Sequence, residues 1–298
     1  MSEINTGAEQ SVSEVNGSQV EQHIPVVNDG QTAVDCLAEA TGISKQKLKT
    51  AMQKGCVWLE QSTHGAKPFI QRLRRAKKPL KAGEVLHVYY DEAVLSAEPP
   101  PATLVHDAGD YSIWLKPSGM LSQGSKWGDH CTIYRWAEQH LTPERPAFIV
   151  HRLDRPANGL IILAHKKQVA AAFSKMFEER SIEKHYRVLV EGDFAQALAD
   201  GESVKTIRDE VDGKAACSHV RVLDYDAAAN ETLLDVHIET GRKHQIRKHL
   251  SANGYPVVGD RQYGSGRSER DLQLQAASLR FVCPVTEEVR EFGRVESL

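Results

Sequence analysis

The chain has 298 residues, 41% hydrophobic and 26% charged, with 37 Lys and Arg against 40 Asp and Glu for a formal net charge of −3. That balance suits a globular protein with a sizeable core and two folded parts, and it excludes a transmembrane helix, since Leu160 to Ala164 is as long as any purely apolar stretch. The polar, acidic start is neither a secretory signal nor an Arg-rich transit peptide. Five dispersed cysteines without a Cys-x-x-Cys argue against a disulfide framework or a zinc site and point to a reducing cytoplasm.

Taken in chain order, residues 1–22 are rich in Ser, Gly, Glu, Asn and Gln and are expected to be a disordered acidic tail. Folded sequence is expected from near Ile24. Val34, Leu37 and Ala38 have helical spacing, with Gly42 as a stop. Ser44 is placed to cap a second helix over Lys45 to Lys54, which carries Leu48 and Met52 four apart. Strand-like runs follow at Cys56–Glu60, Phe69–Leu73 and Glu84–Tyr90. Charge is distributed unevenly here. Residues 1–40 hold seven acids and no Lys or Arg, whereas residues 45–81 hold eleven Lys and Arg against Glu60 alone. Such a dense basic stretch predicts nucleic-acid binding, the alternative being a solvated face.

Ser44-Lys45-Gln46-Lys47-Leu48-Lys49, Lys54-Gly55-Cys56-Val57 and Leu80-Lys81-Ala82-Gly83-Glu84 resemble the small RNA-binding module first seen in ribosomal protein S-four. The resemblance covers about residues 24–91, in a module expected over 24–95, and implies that Lys45, Lys47, Lys49, Lys54, Arg72, Arg74 and Arg75 meet RNA phosphates, which supply affinity with little sequence information. A small α+β domain binding a protein partner would show the same pattern.

Glu98-Pro99-Pro100-Pro101 reads as a stiff linker, with a second domain expected over residues 103–298. Strand-like runs dominate it: Tyr111–Lys116, Phe148–Val150, Leu160–Ala164, Tyr186–Glu191, Ser218–Leu223, Thr232–Ile238 and Ser278–Val282. Val169, Phe173, Met176 and Phe177 form the apolar stripe of a helix over Lys166 to Arg180. With no repeating βαβ rhythm, the fold class is α+β with a largely antiparallel mixed sheet.

Two segments concentrate chemistry. Val150-His151-Arg152-Leu153-Asp154-Arg155-Pro156-Ala157-Asn158-Gly159 places charges between two apolar strands, which is costly unless they are paired or used. Glu239 to Leu250 combines the turn Thr240-Gly241 with a short helix that buries Ile246 and Leu250 and turns Lys243 and Arg247 away from that stripe. An Asp among so many cations would stay a carboxylate, which suits a nucleophile. An ion-paired turn and a solvated basic face are the plain alternatives.

His151-Arg152-Leu153-Asp154 with Gly159-Leu160, together with Lys116-Pro117-Ser118-Gly119, Ile182-Glu183-Lys184-His185-Tyr186, Thr240-Gly241-Arg242-Lys243-His244-Gln245-Ile246-Arg247 and Gly254-Tyr255-Pro256-Val257-Val258-Gly259-Asp260, resemble, in order, the motifs of RluA-type RNA pseudouridine synthases over residues 103–290. The resemblance implies an enzyme that breaks a uridine N-glycosidic bond, rotates the base and rejoins it through carbon 5. Neither cofactor nor metal is expected. Asp154 would be the essential carboxylate, Arg247 (or, less well placed, Arg242) would hold it, and Tyr186 would stack on the uracil. Arg152 would help flip the base out of its stack, His151 would support the loop or touch a phosphate, and Lys184 would contact substrate. The expected partner is structured RNA, with ribosomal RNA favoured over tRNA, the protein acting as a cytoplasmic monomer. Two positions depart from the motifs: Ala157-Asn158 replaces the usual Thr-Ser, and Leu274-Gln275-Ala276 the usual Leu-His-Ala. A catalytically silent RNA-binding or ribosome-assembly protein is the rival reading. Carboxylate-driven hydrolysis is disfavoured, because no second acid accompanies Asp154 in its loop.

Overall fold

Hydrophobic alternation closes two sheets in the computed structural model, which describes residues 19–62, 67–266 and 268–293. The described residues fall into two compact units: those up to Glu98 with Gly124–Cys131, and Pro99–Gln123 with those from Thr132 onward. Two boundaries therefore differ from expectation. Gly124–Cys131, inside the span expected for the second domain, folds with the first unit. Gln19 to Gln22, expected in the tail, belongs to a strand; residues 1–18 lie outside the described residues.

In the first unit β1 (Gln19–Pro25) precedes α1 (Ala33–Thr41) and α2 (Lys45–Gln53). Then come β2 (Val57–Gln61), β3 (Phe69–Arg72), β4 (Val85–Asp91) and α3 (Glu92–Ser96). Thr32 and Ser44 cap the first two helices by accepting from the amides of Asp35 and Lys47. The antiparallel sheet runs β1-β4-β2-β3, and its inward residues Val57, Leu59, Leu86 and Val88 join Leu37, Leu48 and Met52 of the helices in one core. The 124–131 segment contributes Asp129, whose carboxylate is 1% exposed and meets Arg74 at 2.5 Å and Arg72 at 3.3 Å.

The second unit contains β5 (Thr103–Asp107), β6 (Tyr111–Lys116), α4 (Ile133–His140), β7 (Phe148–Ile149), β8 (Asn158–Ala164), α5 (Lys167–Glu178) and β9 (Glu183–Glu191). A short 3-10 turn (Phe194–Ala197) leads to β10 (Lys205–Ile207), β11 (Ser218–Asp226), β12 (Glu231–Ile238), α6 (Gln245–Ala252), β13 (Leu274–Val282) and β14 (Val289–Phe292). Ten strands form one sheet along β10-β11-β12-β9-β13-β8-β6-β5, with β14 on β13 and β7 on β8. Pairing is antiparallel except where β13 runs parallel to β8, so the fold is mixed α+β.

β8 is an interior strand, buried on both faces. Leu160, Ile162 and Ala164 pack with Val169 and Phe173 of α5, while Ile161 and Leu163 pack with Ile133 and Ala137 of α4. Farther along, Val188, Val190, Leu234 and Val236 cover Ile246 and Leu250 of α6. The opposite sides of β9, β12 and β11 carry polar residues in register, His185–His237–His219 and Arg187–Asp235–Arg221. Among the described residues no helix is long and apolar enough to cross a membrane.

Candidate active site

Residues 150–157 leave β7 and return into β8, and three groups from the 116–122 segment hold them. Lys116, 1% exposed, donates to the carbonyls of Ala157 (2.6 Å), Met120 (2.9 Å), Pro117 (3.0 Å) and Arg155 (3.3 Å). Burial pulls its ammonium down to about 7, against the pull of the Asp154 charge. Ser118 Oγ donates to the Pro156 carbonyl (2.9 Å), and Ser122 Oγ both donates to Leu153 O (2.7 Å) and accepts from Leu153 N (3.0 Å). Gly159, at φ +113°, lets β8 approach β13 so closely that a Cβ would collide with the Ala276 backbone. The two departures from the motifs prove to be one place, because Asn158 and Gln275 are register partners in that parallel pairing.

These anchors set Asp154 on the wall of a cleft of about 1020 Å³, with Tyr186, Arg152, Lys184, Arg242 and Lys243 also lining it. The Asp154 side chain is 24% exposed; its Oδ2 accepts from Arg247 Nη1 at 3.2 Å and its Oδ1 lies 3.7 Å from His244 Nε2. Arg247 is not on a solvated face but buried, and it donates from Nε and Nη2 to both oxygens of Asp260, each at 2.7 Å. Asp260, with no exposed side chain, also accepts from the amides of Gln262 and Tyr263. Burial would raise its pKa, but Arg247 and the two amides outweigh that and hold it below the ordinary carboxylate range. Burial likewise works against the Arg247 charge, and Asp260 and Asp154 together restore it. A second opening, of about 670 Å³, reaches Arg247 and His244.

Tyr186 lies half-buried in β9, and burial followed by the Asp154 charge raises its phenol well above the ordinary value. Lys184 extends over the Phe177 ring, 5.4 Å away, and burial lowers its pKa. Arg152 is exposed and donates to Gln123 Oε1 (3.3 Å), whereas Arg242 Nε donates to the Ala215 carbonyl (3.1 Å). Of the two basic candidates in the turn and helix, Arg247 is therefore the one hydrogen-bonded to Asp154. His151 differs from the phosphate-contact expectation. Its Nε2 accepts from the Ile162 amide (2.9 Å), its ring lies on Phe177, and burial pushes its pKa down to about 3, so it brings no charge to a phosphate and supports the loop.

Two contributors carried no assigned role in the sequence: Asp260, whose motif segment was its only signal, and His244. The latter sits in the left-handed region at φ 57° as the N-cap of α6, its Nδ1 3.0 Å from the Tyr263 hydroxyl.

The expected RNA contacts of the first unit divide. Lys45, Lys47, Lys49 and Arg75 are exposed, with Lys45 and Lys47 paired to Asp35 and Glu92. Lys54, Arg72 and Arg74 instead serve the fold: Lys54 donates to the Leu95 carbonyl (2.6 Å), and both arginines meet Asp129.

A family model described as RNA pseudouridylate synthase matches residues 110–252. An RNA pseudouridine synthase of Chloroflexus aurantiacus, described as uncharacterized, is 32% identical, covering 94% of this chain and 92% of that protein. The tRNA pseudouridine synthase C of Vibrio parahaemolyticus is 30% identical over 58% of this chain and 81% of its own length. Ribosomal large subunit pseudouridine synthase D of Zymomonas mobilis is 26% identical over 83% and 84%. The solved human RNA pseudouridylate synthase domain containing 1 shares the fold at a TM-score of 0.53 and 24% identity, covering 67% of this chain and 86% of that one. The chain belongs to the RNA pseudouridine synthase family, in its RluA-type branch, a family of isomerases that act on RNA.

Proposed function

We propose that the protein converts uridine to pseudouridine in structured RNA, ribosomal RNA in the first place, as a cytoplasmic monomer, with Asp154 as the essential carboxylate. The reaction is balanced within the substrate: the bond from the sugar to N1 breaks, a bond from the sugar to carbon 5 forms, carbon 5 loses a proton and N1 gains one. The observation that carries the reading is the Asp154 carboxylate, open on one side to a cleft with room for an extruded nucleotide and hydrogen-bonded to a buried guanidinium on the other.

In this reading Arg247 orients Asp154, and Tyr186 provides a flat face for the extruded uracil close to the proton that leaves carbon 5. Arg152, Lys184 and Arg242 face the cleft and meet the displaced strand. The first unit acts as an S-four-like module, bringing Lys45, Lys47, Lys49 and Arg75 to RNA phosphates. Ribosomal RNA is preferred because that module accompanies ribosomal-RNA enzymes more often, although the named relatives include tRNA enzymes.

RNA labelled with tritium at carbon 5 of uridine should release label to water, and Asp154→Asn should abolish release. Label release that survives the substitution overturns the assignment. Binding without release favours the silent RNA-binding reading. Pseudouridine maps of ribosomal RNA and tRNA, with and without the protein, identify the target.

A further inference from the structure

Across the β11–β12 pairing, antiparallel register puts three different donor groups on the polar side of the sheet. Cys217 immediately precedes β11 and His219 follows two residues later, so both point the same way. Glu239, just after β12, lies opposite Cys217, its amide donating to the Cys217 carbonyl (3.2 Å). Cys217 Sγ, a His219 ring nitrogen and a Glu239 carboxylate oxygen all lie within 4.8 Å of one another.

We propose that Cys217, His219 and Glu239 bind a divalent transition-metal ion of borderline softness, zinc by the donor set, leaving a fourth position for water. His219 Nε2 stands 3.5 Å from Cys217 Sγ. Tetrahedral zinc with ordinary bond lengths spans a sulfur–nitrogen edge of about 3.6 Å, so that edge is already formed. The Glu239 oxygen, 2.7 Å from Nε2 in the metal-free hydrogen bond, must withdraw to about 3.4 Å, which its 39%-exposed side chain permits.

The other His219 nitrogen, Nδ1, lies 3.0 Å from the Thr206 hydroxyl of β10. A hydroxyl both donates and accepts. Without metal it donates to Nδ1 while Nε2–H bonds Glu239; with metal it accepts from Nδ1–H and leaves the Nε2 lone pair for the ion. The ring changes tautomer without turning, as ligating histidines held by an outer partner do. The thiol loses its proton to solvent as the metal–sulfur bond forms, and no electron moves. Thiolate and carboxylate together balance the dication, so the site becomes neutral where Glu239 alone had left it negative. Because Glu239 also lines the cleft, the ion would remove a negative charge from a wall facing RNA. The binding test does not depend on the proposed reaction.

Full-length protein is loaded with Zn2+ and dialysed against metal-free buffer, and separately titrated with Co2+ to record thiolate-to-metal absorption. One retained equivalent of Zn2+ and a thiolate band are expected. Cys217→Ser should abolish the band, and Glu239→Gln should weaken binding at least about tenfold. Thr206→Val, which touches no metal, should weaken it by about the same factor. Absence of retained Zn2+, or retention equal in wild type and Glu239→Gln, overturns the proposal. Should Cys217→Ser fail to fold, Glu239→Gln, on an exposed side chain, decides alone.

Discussion

Arg247 meets Asp260 through two parallel 2.7 Å hydrogen bonds and Asp154 through a single one of 3.2 Å. The guanidinium is therefore fixed from behind, by a fully buried acid, and presents its remaining nitrogen to Asp154. Removing one partner of a buried pair strands the other charge, so Asp260→Ala should lower stability by about 3–5 kcal/mol. Asp154→Asn, at a part-exposed carboxylate, should change stability by less than about 1 kcal/mol while eliminating label release. Urea denaturation beside the tritium assay separates the two, and equal destabilisation would contradict this division of roles.

His244 combines a left-handed backbone with a ring between Asp154 and Tyr263. Asn tolerates that backbone region better than other non-glycine residues, so His244→Asn keeps the turn and loses the ring. The expected result is a fall in kcat of about tenfold to a hundredfold, from loosened placement of the Asp154 Oδ1, with little change in KM. Single-turnover kinetics on the variant check this; an unchanged rate would mean that the 3.7 Å approach is incidental.

Lys116 ties the Asp154 loop to the segment before it. Lys116→Met leaves buried carbonyls without a donor and should cost about 1–3 kcal/mol. Its pH signature is opposite to that of a paired lysine. With the folded ammonium lowered to about 7, the folded chain has shed this proton in the window above pH 7 while the unfolded chain still holds it. Unfolding there takes up a proton, so this residue makes stability rise with pH, by up to about 1.4 kcal/mol per pH unit, until the unfolded lysine also titrates near about 10.4. Below pH 7 both states are charged and the slope vanishes. Denaturation midpoints between pH 7 and 10 should rise more steeply for wild type than for Lys116→Met.

Basic residues of the first unit should part into two classes. Lys49→Ala should lower RNA affinity and reduce the salt-dependence slope by about one contact, leaving the melting temperature unchanged. Arg74→Ala should instead destabilise the fold, because it withdraws a guanidinium from Asp129. Filter binding at several salt concentrations, paired with thermal melts, tells them apart.

Much of the site was legible because it is carried by local pattern. The apolar runs on either side of residues 150–157 marked a loop between buried strands, and the Ile246–Leu250 spacing marked α6. What the pattern could not show depends on side chains meeting across the fold. The same spacing only turned Arg247 away from the apolar stripe, leaving a solvated face and an anion partner both open; Asp260, thirteen positions away, is the buried partner that the spacing could not name. Charge density counted Arg72 and Arg74 as RNA ligands, because nothing local reveals that Asp129 takes them. For His151 the motif left loop support and phosphate contact both open, and only its burial, with the Ile162 amide on Nε2, decides for the loop. Gln19 to Gln22 looked like tail because β1 is held to β4 by backbone bonds along a polar edge, which composition does not register.

The chain passes between its two units three times, at residues 98/99, 123/124 and 131/132. A gene cut at the proline run would consequently not yield two clean halves. The upstream piece would retain Arg72 and Arg74 but surrender the acid they enclose, and the downstream piece would carry that acid on an internal eight-residue loop without its partners. Any transplant of the first unit into another protein would have to carry both stretches at once, because the acid and the guanidinium groups that meet it come from different ones.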